Sequence, residues 1–247
     1  AVDGASGTLL WTFDPEIHKH SPRTIALGWN VNRGLAYLDG KLFIGATDGR
    51  LIAIDSVSGK QIWASKTFEP TESKAITGAP RAFNNMVVIG HGGAEYGTRG
   101  YVSAYDAISG EQLWRFYTVP GNPADGFESP AMEMAAETWF GEWWKTGGGG
   151  TVWDGITYDE ELDQLYIGVG NGDPWDYDLR SHGKGDNLFV GSIVALDPNT
   201  GKYLWHYQSL PGERWDFKST QDMILTDLVI DGKRKNVLMH AHMTAPL

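Results

Sequence analysis

A nine-residue pattern, Asp-x3-Gly-x3-Trp, recurs four times in the 247-residue chain and limits what it can fold into. The copies are Asp3-Gly-Ala-Ser-Gly7-Thr-Leu-Leu-Trp11, Asp55-Ser-Val-Ser-Gly59-Lys-Gln-Ile-Trp63, Asp106-Ala-Ile-Ser-Gly110-Glu-Gln-Leu-Trp114 and Asp197-Pro-Asn-Thr-Gly201-Lys-Tyr-Leu-Trp205. In each, the Asp and the Ser or Thr before Gly can hydrogen-bond turn amides, and Gly supplies the positive φ of a tight turn. The Trp then falls on the following strand. Each copy reads as a β-hairpin whose Trp packs against the neighbouring repeat, which gives a structural reason for 11 Trp in one chain.

Between the copies lie short strand-like runs. Leu35–Leu38, Leu42–Gly45 and Leu51–Ile54 are separated by Asp39-Gly40 and Asp48-Gly49. The same grammar recurs at Met86–Gly90, Tyr101–Tyr105, Leu165–Val169 and Ser192–Leu196, and on either side of Asp231-Gly232 at Leu228–Ile230 and Asn236–Met239. The first three Trp are about 50 residues apart, the length of one four-stranded propeller blade with its loops. A β-sandwich would account for the strands but has no need of one repeated module. The expected fold is therefore all-β, a β-propeller of four-stranded antiparallel blades, with residues 1–247 forming one partial domain of roughly four to five blades. Because a closed propeller requires its first and last blades to meet, the chain is expected to be part of a larger one.

From Trp114 to Trp205 the interval is 91 residues, so an insert is expected at about 118–150. Ser129-Pro130 reads as an N-cap followed by Pro at the first helical position, opening a helix over Ala131–Glu137. Trp139, Trp143, Trp144 and the run Gly147–Gly150 complete the insert. Two readings stand: a surface excursion pinned by aromatics, or a rim over a binding site.

Composition removes several function classes. With 41% hydrophobic and 21% charged residues the chain is not disordered. A net charge of -11 without a Lys/Arg cluster argues against nucleic acid and anionic membrane surfaces as partners. The absence of Cys excludes disulfides, thiolate zinc sites, a Cys nucleophile and covalent c-type haem attachment in this chain. No apolar run approaches the ~20 residues of a membrane span. The N-terminus lacks the basic and apolar regions of a signal peptide, so an export signal is expected to have been removed or to lie on a longer chain.

Six ordered motifs then carry a family resemblance. Val31-Asn32-Arg33-Gly34, Thr77-Gly78-Ala79-Pro80, Gly92-Gly93-Ala94-Glu95-Tyr96-Gly97, Gly147–Gly150 with Thr151-Val152-Trp153-Asp154, Gly168-Val169-Gly170-Asn171-Gly172 and Trp215-Asp216-Phe217 resemble the pyrroloquinoline quinone (PQQ)-dependent alcohol dehydrogenases. The likeness runs from about residue 1 to about 241 and is greater to the quinohaemoprotein alcohol dehydrogenases than to the methanol dehydrogenase large subunit. It implies an eight-bladed propeller with the quinone on its axis, about half of it in this chain, and a periplasmic enzyme. A non-catalytic propeller of the same repeat type, like outer-membrane assembly lipoproteins, is the alternative; such a module has no need of the Glu, Asn and Asp constellation.

By resemblance, Glu95 and Asn171 are metal ligands and Gly93 and Ala94 lie against the cofactor, whereas read alone they pass as a loop Glu and a turn Asn between glycines. A carboxylate, an amide oxygen and quinone oxygens form a hard all-oxygen set, which suits Ca²⁺. Lanthanide-using relatives carry an extra Asp two positions after the catalytic one, and here that position is Lys218. Trp153 is implied to be the floor under the quinone ring, with Thr77 and Thr151 donating to its carboxylates and Arg33 at its edge. Asp216 is implied to be both a metal ligand and the general base, and a carboxylate between Trp215 and Phe217 is expected to be partly desolvated. The implied reaction passes the alcohol proton to Asp216 and hydride to the quinone, with Ca²⁺ polarising a quinone carbonyl and electrons leaving to a cytochrome c or haem domain outside this chain. The sequence departs from the family at three places: Leu27-Gly28 stand where it has adjacent cysteines, Met243 where it has a basic residue, and Lys218 beside the presumed base.

Overall fold

A computed structural model describes residues 1–20 and 31–242. Leu27-Gly28, Trp29 and Met243 lie outside the described residues. Three sheets of four antiparallel strands, each in simple up-and-down order, follow one another along the chain. The first contains β1 (Leu35–Leu38), β2 (Lys41–Gly45), β3 (Arg50–Asp55) and β4 (Gln61–Lys66). The second contains β5 (Arg81–Phe83), β6 (Met86–Gly90), β7 (Tyr101–Asp106) and β8 (Gln112–Tyr117). The third contains β9 (Ile156–Asp159), β10 (Gln164–Gly168), β11 (Ser192–Leu196) and β12 (Tyr203–Gln208). A two-stranded sheet, β13 (Met223–Ile230) and β14 (Lys233–His240), closes the series. The first strands of successive sheets adjoin, β1 with β5, β5 with β9 and β9 with β13, so the sheets fan around a common axis as propeller blades.

Among the described residues the blades number three, with a hairpin of a fourth, rather than the four to five expected. The first repeat forms its turn but pairs only through a bridge between Val2 and Leu9, so it adds a segment over the outer part of the first blade and not a sheet of its own.

The repeat works as its residue types require. In the copies at 55, 106 and 197, Asp Oδ1 accepts the backbone N–H three residues on at 2.7, 2.7 and 2.9 Å, and Gly N–H closes the turn on the Asp carbonyl at 2.9 Å in all three. The Trp of one repeat then lies on the Gly of the next. A Cβ on Gly59 would stand 2.5 Å from the Trp11 ring, on Gly110 2.7 Å from Trp63 and on Gly201 2.5 Å from Trp114. Their indoles also donate across the junction, Trp11 to Ser56 O at 3.2 Å, Trp63 to Ala107 O at 3.4 Å and Trp114 to Pro198 O at 2.8 Å. Trp205 is 38% exposed and donates within its own blade, to Gln164 Oε1 at 3.1 Å.

Apolar clusters fill the gaps between blades. Phe43, Leu51, Val87, Ile89 and Tyr105 join the first to the second, and Tyr166, Ile193 and Met223 join the third to the hairpin. Between the second and third blades the insert contributes to the core. Its helix α2 (Pro130–Ala136), following the four-residue α1 (Ile17–His20), is capped by Ser129 Oγ as expected and buries Ala131, Met132 and Ala135. Trp139 and Trp143 form a second cluster with Val119 and Val190, donating to Leu188 O at 2.6 Å and Pro120 O at 2.8 Å. The aromatics of the insert are therefore its anchors. Among the described residues no helix is long and apolar enough to cross a membrane.

His91, at the end of β6, marks how dry the first junction is. Its ring packs 4.3 Å from Tyr101, Nδ1–H donates to Gly92 O at 3.0 Å and Nε2 has no partner. Burial first, and then the Lys74 charge, push its pKa from 6.5 down to about 3. The folded value lies below the unfolded one, so this group's contribution to stability is complete above pH 6.5 and is lost as pH falls toward 3, where only the unfolded chain takes up the proton. The wild type is expected to lose about 2–3 kcal/mol more between pH 7 and pH 4.5 than His91→Phe, a difference measurable as a pH-dependent gap in Tm.

Candidate functional site

The loops at one end of the blades converge on the four-glycine run. All four residues, Gly147 to Gly150, have φ between +66° and +79°, a left-handed succession that side chains resist. The run threads between two loops. Gly149 N–H donates to Thr98 O at 3.1 Å, Gly100 N–H to Gly149 O at 2.8 Å, and Gly150 N–H to Asn171 O at 2.8 Å. A Cβ on Gly149 would lie 2.6 Å from the Asn171 carbonyl, so the insert can reach the site only as glycine.

This threading brings together residues distant in sequence. Glu95 sits in a 3-10 turn, Ala94–Tyr96, between the left-handed Gly93 and Gly97, and its Oε1 lies 3.3 Å from Asn171 Nδ2. Glu95 is exposed while Asn171 is 1% exposed, so an exposed acid is backed by a buried amide. As oriented, the amide donates to Glu95; a half-turn would present Oδ1 instead and leave two oxygens to face a cation. Gly93 and Ala94 are buried beside them.

A second group adjoins the first. Arg33 donates its backbone N–H to Thr77 O at 3.0 Å, and its guanidinium lies 4.7 Å above the Trp153 ring. A Cβ on Gly92 would stand 3.6 Å from Trp153 Cβ and 3.9 Å from Thr77 Oγ1; one on Gly170 would stand 3.5 Å from Thr151 Oγ1 and 3.6 Å from Trp153 Nε1. Thr151 Oγ1 is buried without a hydrogen-bond partner. An indole, two threonine hydroxyls and an arginine are thus gathered around Gly92 and Gly170.

Asp216 holds a left-handed φ of 61° in a turn, and Lys218 Nζ lies 2.9 Å from its Oδ1. The aromatic shielding expected around it is incomplete, because Trp215 is 62% exposed and stacks only loosely with Phe217, at 5.8 Å. Among the described residues, no hydrogen bond joins Asp216 to Glu95 or Asn171 and no group of three or more His, Asp and Glu side chains converges to hold a metal.

Three residues near this site gave no signal in the sequence. Asp173, in the turn after Asn171, has its carboxyl lifted to about 6 by burial first and the Glu95 charge second, against the Arg180 charge. Arg180 lies on α3 (Tyr177–Ser181) and is 1% exposed, and Glu213 is fully buried. A buried charged residue cannot be told from a surface one until its partners are known.

The match to known proteins is extensive. The family model for the PQQ glucose/ethanol/alcohol dehydrogenase β-propeller domain matches residues 1–245. A quinohemoprotein alcohol dehydrogenase, ADH IIB of Pseudomonas putida, is 55% identical over 98% of this chain and 35% of its own length. The crystal structure of quinohemoprotein alcohol dehydrogenase from Comamonas testosteroni superposes with a TM-score of 0.93 at 52% identity, covering 98% of this chain and 36% of that one. A europium-containing methanol dehydrogenase follows at a TM-score of 0.83 and 36% identity, covering 94% of this chain and 41% of that one. This chain spans about a third of the length of the curated relatives it matches. The repeats and the blades around one axis are thus those of a known lineage, and the chain belongs to the PQQ-dependent alcohol dehydrogenase β-propeller family.

Proposed function

We propose that the protein carrying this segment oxidises a small alcohol to an aldehyde or ketone with PQQ and Ca²⁺, and passes the electrons to a cytochrome c or haem domain outside this chain, in the periplasm. The observation that carries the reading is the gathering of Trp153, Thr77, Thr151 and Arg33 around Gly92 and Gly170, with Glu95 meeting Asn171 at 3.3 Å. The residues present fit the cofactor. Thr151 Oγ1 is a buried hydroxyl without a partner, as a donor awaiting a ligand carboxylate would be, and the Trp153 indole already holds a flat cation on one face.

In this reading Trp153 is the stacking floor, Gly93 and Ala94 allow close approach, Thr77 and Thr151 donate hydroxyls, and Arg33 holds the edge as a cation. Glu95 and Asn171 supply oxygens to the metal, joined by Asp216. An all-oxygen donor set suits Ca²⁺, and the ammonium of Lys218 beside Asp216 stands where lanthanide users place a further acid. When bound, the quinone supplies a two-electron acceptor for the carbon-bound hydrogen of the alcohol. Asp216 receives the hydroxyl proton at Oδ2, the oxygen that Lys218 does not hold.

The test is a titration of the full-length protein with PQQ, with and without Ca²⁺, followed by Trp fluorescence. Saturable quenching is expected, lost when the metal is chelated and weakened about 5–150-fold in Trp153→Ala, since stacking of a planar ligand on Trp is worth ~1–3 kcal/mol. No saturable binding in the wild type would overturn the reading.

A further inference from the structure

Asp216 is a non-glycine residue at φ 61°, a conformation that persists only where the surroundings hold it. The group holding it is Glu213. One carboxylate oxygen, Oε1, accepts the N–H groups on either side of Asp216, from Trp215 at 2.5 Å and from Phe217 at 2.9 Å. The other, Oε2, accepts the N–H of Gly172 at 3.3 Å, the residue next to Asn171. Three backbone donors on two loops thus share one carboxylate that is fully buried. Arg180 doubles the connection: it donates to the Glu213 carbonyl, to Pro174 O at 2.6 Å and to Asn187 Oδ1 at 3.0 Å. A Cβ on Gly172 would overlap the guanidinium, so the Asn171-Gly172 turn rests directly on it.

We infer that Glu213 is the positioning residue of the reaction: it fixes the Asp216 turn against the Asn171 turn and so sets the reach of the base relative to the metal site. The inference rests on the proposed roles of Asp216 and Asn171. The hydrogen bonds of the Glu213 carboxylate all come from backbone N–H groups, those of Gly172, Trp215 and Phe217. A carboxylate suits this task because each oxygen can accept and neither donates, whereas any amide must turn an NH₂ toward one set of N–H donors. Loss of that span lets the base drift, and a misplacement of about 1 Å costs on the order of 10²-fold in rate.

The test uses the full-length protein loaded with PQQ and Ca²⁺, comparing wild type, Glu213→Gln and Glu213→Asp, with the second variant one methylene too short to span the loops. Expected in either is a rate per bound quinone about 10–100-fold lower with KM for the alcohol nearly unchanged. The isotope effect with carbon-deuterated alcohol should rise toward its full value, because the chemical step becomes limiting. In quinone-free protein, hydrogen exchange should quicken in the segments 168–175 and 213–218. A merely structural role would reduce the amount of loaded enzyme and leave the rate per bound quinone at the wild-type value; that result, or unchanged exchange in both segments, overturns the inference. Asp216→Asn run alongside separates the two claims: if it retains activity, the assignment of the base fails, and if it is inactive while both Glu213 variants turn over normally per quinone, only the positioning role fails.

Discussion

Asp216→Asn in the full-length, PQQ- and Ca²⁺-loaded protein is expected to lower alcohol-dependent dye reduction by about 10²–10⁴-fold, the range that a positioned general base contributes. Quinone binding, read by Trp fluorescence, should survive. The substitution is nearly isosteric: an Asn oxygen can accept from Lys218 Nζ as Asp216 Oδ1 does at 2.9 Å, and the turn is held through backbone N–H groups of Trp215 and Phe217 that the change leaves in place. What disappears is the ability to take a proton. If activity persists within about threefold, proton transfer runs through another group and the assignment is wrong. Asp173, whose carboxyl is lifted to about 6, would then be the first residue to test, because it lies in the turn after Asn171.

The largest effect on stability is expected at a blade junction. Trp114→Ala should cost about 3–5 kcal/mol, which in a chain of this size lowers Tm by roughly 6–20 °C. Three losses combine there. The indole is buried, its Nε1–H donates to Pro198 O at 2.8 Å, and its ring fills the contact above Gly201. Gly201→Ala should destabilise from the other side, since Gly201 has φ 68° and a Cβ would stand 2.5 Å from the same ring. In the 247-residue chain, Trp205→Ala should cost no more than about 1 kcal/mol, because that indole is 38% exposed and its Nε1–H donates within its own blade, to Gln164. Equal losses at Trp114 and Trp205, measured by thermal unfolding, would show that the docking geometry is not what the repeat Trp contributes.

The contrast between those two Trp residues shows where sequence reasoning reaches its limit. Both sit eight residues after an Asp in the same motif, and only their surroundings in the fold distinguish them. The turn itself was legible because its physics is local: an Asp carboxylate, two or three following N–H groups and a Gly lie within five residues, and the chain needs no distant partner to form it. The strands, the capped α2 and the Trp-anchored insert followed from equally short-range signals.

The site divides along the same line. Glu95, Asn171, Trp153 and Asp216 are assigned to the proposed site by the family resemblance of their motifs, and the glycines around them point to close backbone approach. That Glu95 and Asn171 meet at 3.3 Å across 76 residues of chain depends on the convergence of the blades. So does the identity of the group that holds Asp216 in its left-handed turn. In the sequence Glu213 is one more acid in an acidic chain, and Arg180 one more base on a short helix. Folding buries both completely or nearly so, and a buried charge is tolerated only where donors and acceptors from several loops surround it. Local hydrogen-bonding chemistry wrote the repeats and the propeller into the sequence; the arrangement of the site came from long-range packing, which joins residues whose types carry no mark of their partners.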